Sequence, residues 1–306
     1  MSTAKWFVII NPTSGNGKAK ISWPKIKALL EFAGFSFDFA FTESANHNRV
    51  LVQDAVNQHI NNIICVGGDG TIHNTINGIM EVSAHERSLL TLGVIPIGTG
   101  NDWVKTHGIS KTIEDAIQTI KAGKILIQDI GKISFLNQKT SPVYFNNLAG
   151  VGFDGYVANK VTKYKHYGSL SYLIGALVGL FAYKNVAATI NINDQKITTK
   201  VLMVLIGLGK YSGGGMRLTS FSQSDNSLFD VTIAKNLSKL DILLNISKLY
   251  NGSIVNHKKV MNLKTTNMQV IINQQKSPLL QADGEMIGSG NFMVSIVPKA
   301  LRFYGN

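Results

Sequence analysis

An apolar run, Ile63 to Val66, stops at Gly67-Gly68-Asp69-Gly70, and a helix-like segment, Thr71 to Met80, leaves from the other side. The run is short, rich in β-branched residues and ended by glycine, which reads as a buried strand. Three glycines around one aspartate leave the backbone bare, so a ligand can approach it closely, and glycine tolerates φ > 0 without a steric cost. The helix that follows directs its unsatisfied N–H groups and its positive dipole end at the loop. Strand, glycine turn and helix N-terminus together form a phosphate-binding arrangement. A tight strand-to-helix turn with a surface aspartate would explain one glycine pair. It does not explain a second element of the same kind, Leu92-Gly93-Val94-Ile95-Pro96-Ile97-Gly98-Thr99-Gly100-Asn101-Asp102. Neither element is a Walker A loop or a Gly-x-Gly-x-x-Gly turn. Two strands that end in Gly/Thr/Asp loops place both loops on one carboxyl edge of a sheet, where open α/β sheets bind ligands.

Around this pair the first 125 residues alternate strands and helices. Lys5 to Ile10 reads as a strand, followed by the polar turn Asn11-Pro12-Thr13-Ser14-Gly15-Asn16-Gly17. Ser22 and Pro24 read as the start of a helix that ends near Gly34. Phe35, Phe37, Phe39 and Phe41 alternate with smaller residues at strand period, and Asn48 to Ile60 reads as a helix. Ile113, Ala116, Ile117 and Ile120 have helical spacing, closed by Gly123. The expected fold is a three-layer α/β domain on a parallel sheet over residues 1–128. The texture changes after Lys124 to short β-like runs separated by turns, which predicts a mainly antiparallel β-sandwich or barrel over residues 129–298. Helices are expected at Leu170–Tyr183 and Lys239–Tyr250, and the last strand, about 299–306, is a candidate to return to the first domain.

Charge separates the halves. Residues 1–130 carry 11 Lys/Arg and 11 Asp/Glu, whereas residues 131–306 carry 19 against 7 and hold the whole net charge of +12. Such asymmetry suggests an anionic partner for the second half, nucleic acid or anionic membrane. No nucleic-acid motif accompanies it, so membrane is the expected partner. Lys160, Lys163 and Lys165 beside the apolar Leu170–Tyr183 are the expected contact. The single cysteine, Cys65, lies inside an apolar strand and reads as a buried small hydrophobe; its solitude suits a reducing, cytoplasmic compartment. The first apolar run, Trp6 to Ile10, is too short for a leader, and none reaches the roughly 20 residues a spanning helix needs. Seven histidines without metal-ligand spacing argue against zinc, and His73 is expected at the surface.

Taken in order, Asn11-Pro12 with Ser14-Gly15, Thr42-Glu43, Gly67-Gly68-Asp69-Gly70-Thr71, Pro96-x-Gly98-Thr99-x-Asn101-Asp102, Gly150-x-Gly152-Phe153-Asp154, Gly213-Gly214-Gly215 and Asp283-Gly284-Glu285 resemble the diacylglycerol kinase catalytic-domain family, in its bacterial soluble lipid-kinase branch. The resemblance runs through nearly the whole chain. It implies ATP-dependent phosphorylation of a lipid hydroxyl, with Mg²⁺, by a protein peripheral at the inner membrane face; a homodimer is compatible with it. It implies nucleotide contacts from Asn11, Thr42, Gly67, Gly68, Asp69, Gly70, Thr71, Thr99, Asn101 and Asp102. Glu285 is the first choice for the carboxylate that orients and deprotonates the hydroxyl and Asp69 the second, with Asp283 beside Glu285 in the catalytic set. By residue chemistry alone Asp283-Gly284 would be an ordinary hairpin turn.

Two departures stand out. Asn74 occupies a position where the family carries a glutamate. In Ser224-Asp225-Asn226-Ser227-Leu228-Phe229-Asp230, Asn226 stands where a magnesium-binding aspartate belongs, leaving Asp225 as the candidate ligand. Asp69 and Asp102 accept but cannot donate when ionised, so they meet phosphate only through Mg²⁺. The competing readings are a kinase of a soluble alcohol, NAD-kinase-like, and a non-catalytic nucleotide-binding regulatory protein.

Overall fold

Strands that are apolar along their whole length need cover on both faces. β1 (Lys5–Ile10), β3 (Asn62–Gly67) and β4 (Thr91–Pro96) are of this kind and are buried almost from end to end. The computed structural model describes residues 5–161, 183–220, 224–275 and 277–306. The chain forms two units, residues 1–128 with 299–306, and residues 129–298.

In the first unit the sheet order is β2 (Ser36–Phe41), β1, β3, β4 and the end of β15 (Phe292–Tyr304), all parallel. Side chains alternate between the two faces, and helices cover each. α1 (Lys18–Phe32) and α6 (Ile113–Ala122) share a core with Val8, Ile10, Ile64 and Val66. On the other face α3 (Asp69–Glu81) brings Thr75 Oγ1 to Cys65 Sγ at 3.7 Å. Asn48 of α2 (His47–Asn57) donates to the same hydroxyl at 2.9 Å. This is the three-layer arrangement. Cys65 is a core residue whose thiol pKa burial pushes up to about 12.

α1 begins at Lys18, four residues before the expected Ser22 start. Gly15, Asn16 and Gly17 all take positive φ and turn the chain directly into the helix. Pro24 therefore sits in the helix interior, where it cannot donate to the carbonyl of Lys20. Burial of Trp23, Ile26 and Leu30 holds the helix across that gap. Trp23 also gathers Phe37, Phe39 and Phe41 of β2, with ring centroids 4.8–6.2 Å away.

The second unit is mainly antiparallel. β14 (Glu285–Ser289), β13 (Leu279–Ala282), β7 (Leu148–Gly152), β9 (Gln195–Gly207), β8 (Val186–Ile192), β12 (Asn267–Ile272) and the start of β15 follow one another. β10 (Phe229–Lys235) pairs with β9 and with β11 (Val260–Thr265), and β5 (Ile125–Phe135) pairs with β6 (Val143–Phe145). These strands enclose one core that includes Phe145, Ile206, Phe229, Val231 and Phe292. α7 (Phe153–Val161) follows β7 without a break.

Three expectations change here. The run Val143–Leu148 is two strands, because the N–H groups of Asn146 and Asn147 turn to the Asp283 carboxylate instead of a ladder. The last two runs are one strand, β15. Lys239–Tyr250 is two short helices, α8 (Lys239–Leu244) and α9 (Ile246–Asn251). They part at Asn245, which has non-helical φ/ψ and donates through Nδ2 to Asp241 O at 2.6 Å. The helix expected at Leu170–Tyr183 lies outside the described residues, apart from Tyr183, which is not helical. Lys163 and Lys165 lie outside them too. Among the described residues no helix is long and apolar enough to cross a membrane.

Gly131 faces Phe145 directly across the β5–β6 pair, and a Cβ there would overlap the Phe145 ring. That ring is fully buried and stacks on Phe229 at 5.7 Å, so it cannot swing away. Gly131→Ala is expected to destabilise the protein by about 1–3 kcal/mol through overpacking. Adding Phe145→Leu should restore part of the loss in a denaturant titration, and additive losses would show that the clash is not the cause.

Candidate functional site

The carboxyl ends of β1, β3 and β4 carry three loops that are tied to one another. Asn11 N donates to Val66 O at 3.1 Å, and Ile97 N donates to Gly67 O at 2.8 Å. Thr42 is buried at the end of β2, and its N–H donates to Ile10 O at 2.8 Å. The Thr71 hydroxyl is the hub of the first two loops. It accepts from Asn11 Nδ2 at 3.0 Å and shares a 3.1 Å hydrogen bond with Ser14 Oγ. In the sequence Ser14 stands in the polar turn and in the Ser14-Gly15 motif, neither of which shows its contact with Thr71. Thr71 therefore braces the loop, whereas Thr99 is exposed at the tip of the other one.

The glycines are needed for space. None of Gly67, Gly68, Gly70, Gly98 or Gly100 has positive φ, against the expectation from glycine's conformational freedom. The residue that adopts the left-handed conformation is Asn101, at φ 50°. A Cβ on Gly98 would stand 2.8 Å from Gly68 Cα and 2.7 Å from Asn101 Oδ1. A Cβ on Gly68 would stand 3.2 Å from Gly98 Cα. The two loops thus meet backbone to backbone, with no room for a side chain between them.

Two carboxylates converge beside this contact. α3 starts at Asp69 and α5 (Asp102–Thr106) at Asp102, each at a helix N-terminus where negative charge is favoured. Asp69 Oδ1 accepts from Trp103 N at 3.3 Å. A point one Cβ bond out from Gly100 lies 2.9 Å from Asp69 Oδ2 and 3.7 Å from Asp102 Oδ2. The buried Asn101 Oδ1 has no hydrogen-bond partner among the described residues. This set of hard oxygen acceptors around a bare glycine fits a magnesium ion, which takes a few carboxylates and fills its other positions with water and phosphate oxygen. Trp103 fixes α5 from below, its indole N–H donating to Gln128 Oε1 at 2.8 Å. In the sequence the only sign of Gln128's role is its polarity within the mainly apolar run Ile125–Ile130.

α3 carries two further departures from expectation. His73 is buried, 4% exposed, beside Asn77 Nδ2 at 3.3 Å, and is not a surface residue. Asn74 donates through Nδ2 to Gly70 O at 2.9 Å, so it closes the first turn of the helix.

In the second unit, Asp283 and Gly284 both have positive φ and form the tight turn between β13 and β14. The Asp283 carboxylate accepts from the N–H groups of Asn146 (3.0 Å), Asn147 (2.9 Å) and Leu148 (3.1 Å), and Asp283 N donates to Leu148 O at 2.8 Å. Asp283 thereby clasps the β13–β14 turn to the segment that joins β6 to β7. Glu285, next but one, opens β14 and is exposed. Gln281 joins this turn to the interior: its Oε1 accepts from Gly284 N at 2.7 Å, and its Nε2 donates to Asp154 Oδ2. Asp154, given no role from sequence, is buried in α7. Burial pushes its pKa up to about 6, against the pull of the Gln281 hydrogen bond.

Asp154 is one of few polar groups lining an apolar pocket within this unit, walled also by Phe153, Leu202, Met203, Leu237 and Leu249. The pocket holds about 810 Å³ of atom-free space, part of it open to solvent. The Asp225 turn is held by protein groups: Ser227 N donates to the buried Asp129 Oδ2 at 2.6 Å, and Leu228 N to Asn226 Oδ1 at 3.0 Å. Asp225 is exposed, and among the described residues no three His, Cys, Asp or Glu side chains stand where they could hold a metal.

Residues 5–133 match the family described as diacylglycerol kinase catalytic domain, and residues 147–305 match the YegS C-terminal NAD kinase beta sandwich-like domain. The chain is 30% identical over 292 residues to a protein named diacylglycerol kinase from Staphylococcus saprophyticus, covering 94% of this chain and 91% of that one. It is 29% identical over 292 residues to the protein of that name from Staphylococcus carnosus, covering 94% and 90%. A crystal structure of a diacylglycerol kinase from Bacillus anthracis aligns with a TM-score of 0.74 at 21% identity, over 100% of this chain and 98% of that one. At that identity the likeness speaks for the fold.

Two outcomes follow from this geometry. Gly98→Ala should part the two loops and weaken ATP binding by more than about tenfold, a loss of about 1.4 kcal/mol, as read by calorimetry; unchanged affinity would show that the contact is not needed. For Asp154, the folded pKa of about 6 lies above the ordinary 3.8. The unfolded chain then ionises first, and stability falls as pH rises from about 4 to 6. The penalty above that window is on the order of 3 kcal/mol. Asp154→Asn should therefore raise Tm at pH 7.5 and leave it nearly unchanged at pH 4.

Proposed function

The chain belongs to the diacylglycerol kinase catalytic-domain family, and from that premise we propose that it transfers the γ-phosphate of ATP to the hydroxyl of a diacylglycerol-like lipid at a membrane surface. The observation that supports this best is the Gly68–Gly98 contact with Asp69 and Asp102 beside it. It offers bare backbone, helix N-termini and a pair of carboxylates in one place, which is what positioning a polyphosphate requires. Mg²⁺, when bound, neutralises charge on the phosphates; Asp69 and Asp102 would hold it.

The remaining roles belong to the chain's own groups. Backbone N–H groups at the start of α3 bind phosphate oxygen, and the exposed Thr99 hydroxyl adds a donor. Thr71, Asn11 and Ser14 keep the loop in shape. Transfer forms a bond from the lipid oxygen to phosphorus, breaks the bond to the ADP oxygen and releases the hydroxyl proton. Glu285 accepts that proton, with Asp69 the alternative acceptor. Asp283 is a positioning residue, since its carboxylate is engaged by three backbone N–H groups. Gln281 couples the turn to Asp154 in the pocket wall. The pocket receives an acyl chain, which suits its apolar lining.

The test is transfer of labelled γ-phosphate from ATP, with Mg²⁺, to a lipid panel and to NAD. Label in an organic-extractable product is expected; label in NAD alone would replace the lipid with a soluble alcohol. Glu285→Gln should lower kcat by about 10²–10⁴-fold while ATP affinity stays unchanged. Wild-type turnover in that variant would remove Glu285 from the reaction.

A further inference from the structure

The pocket in the second unit has a rim of unusual composition. α8 contributes Asp241, and Asn245 just beyond it, to the lining. About 100° around the helix, Leu240 and Leu244 stand on one face at i and i+4. They are 63% and 72% exposed, among the most exposed large apolar side chains of the described residues. A helix that lines a pocket with one face and shows two leucines to solvent beside it is not explained by folding alone.

Lysines surround the same rim. Lys235 N donates to Lys259 O at 2.8 Å, Asn236 N donates to Lys200 O at 3.0 Å, and Asn185 Nδ2 donates to Asn236 Oδ1 at 3.0 Å. These bonds bring together the backbone of Lys200 within β9, Lys235 at the end of β10 and Lys259 just before β11, with Lys184 and Lys258 next to bonded residues in sequence; Ala234, Leu237 and Val260 nearby line the pocket. Lys184, Lys200 and Lys258 are exposed. From Val231 to Thr266 the sequence has six lysines, no arginine, and one acidic residue, Asp241. That carboxylate is already neutralised: Lys259 Nζ lies 2.5 Å away, and its hydrogen bond, with those of Ser238, holds the Asp241 pKa far below the usual range.

We propose that this rim is a membrane-docking surface, in which Leu240 and Leu244 enter the acyl boundary of an anionic bilayer while the lysines meet its headgroups, with the mouth of the apolar pocket against the lipid. Apolar insertion and positive charge are the two signals that together hold a protein at an anionic surface. The proposal rests on the lipid-kinase reading, because it gives the substrate a path from bilayer to pocket that avoids water. It places the contact on α8, the Lys200 stretch of β9, the end of β10 and the start of β11.

The test uses the whole protein with vesicles of phosphatidylcholine, with and without phosphatidylglycerol. Flotation should show binding that increases with phosphatidylglycerol and falls with salt. Leu240→Gln with Leu244→Gln should weaken vesicle binding by at least about tenfold, and should slow turnover of long-chain diacylglycerol in vesicles. Turnover of a short-chain diacylglycerol dispersed below its aggregation limit should be unchanged. Lys235→Gln with Lys258→Gln should remove most of the preference for phosphatidylglycerol. Unchanged flotation of the leucine variant would overturn the proposal. Loss of turnover on dispersed substrate would overturn it too, by placing the leucines in the pocket. A parent dimer that the leucine variant splits, with no vesicle binding by either, would assign the face to a second copy. Absence of lipid phosphorylation by the parent would count against the kinase reading, and flotation would still decide this surface.

Discussion

The approach of Gly68 to Gly98 is the contact on which the loop arrangement of the first unit depends. At 2.8 Å from a hypothetical Cβ to the facing Cα, the two loops exclude every side chain from their meeting point. That exclusion brings the N-termini of α3 and α5 together at the edge of a parallel sheet, with their aspartates facing the same bare backbone. Strands buried on both faces make this edge rigid, because neither β3 nor β4 can shift without opening a core. The Asn11–Thr71–Ser14 cluster adds a second brace from β1. A polyphosphate site of this design needs little side-chain chemistry; it needs backbone held still and charge held close.

The second unit solves a different problem with a similar economy. Its turn at Asp283-Gly284 is fixed by a carboxylate that gathers three backbone N–H groups from the segment joining β6 to β7. Glu285 gains a defined position from this clasp while remaining exposed. Through Gln281 the same turn reaches Asp154, a buried carboxyl whose pKa burial raises. The same carboxyl lines the apolar pocket.

Much of this was legible in the chain itself. Period-2 and period-3.6 patterns gave the strands and helices of the first unit, and the glycine loops with the ordered motifs gave the family. Misreadings had local causes. Pro24 looked like a helix start because proline favours that position, yet the glycine turn at residues 15–17 started the helix earlier. The loop glycines looked like positive-φ positions, yet the constraint was a neighbour's backbone. His73 looked superficial because a lone histidine usually is, yet α3 is enclosed on nearly all sides.

The sequence by itself determined the parallel and antiparallel halves, the paired glycine loops and the lipid-kinase family, because those are written in periodicity and in residues a few positions apart. Only the tertiary structure decided that Thr71 is a brace, that Asp283 is a clasp, that Gln281 connects Asp154 to the Glu285 turn, and that Leu240 and Leu244 flank a pocket. Each of those facts is a contact or an exposure set by elements distant in the chain. Spacing along one segment carries no record of what another segment will bury against it.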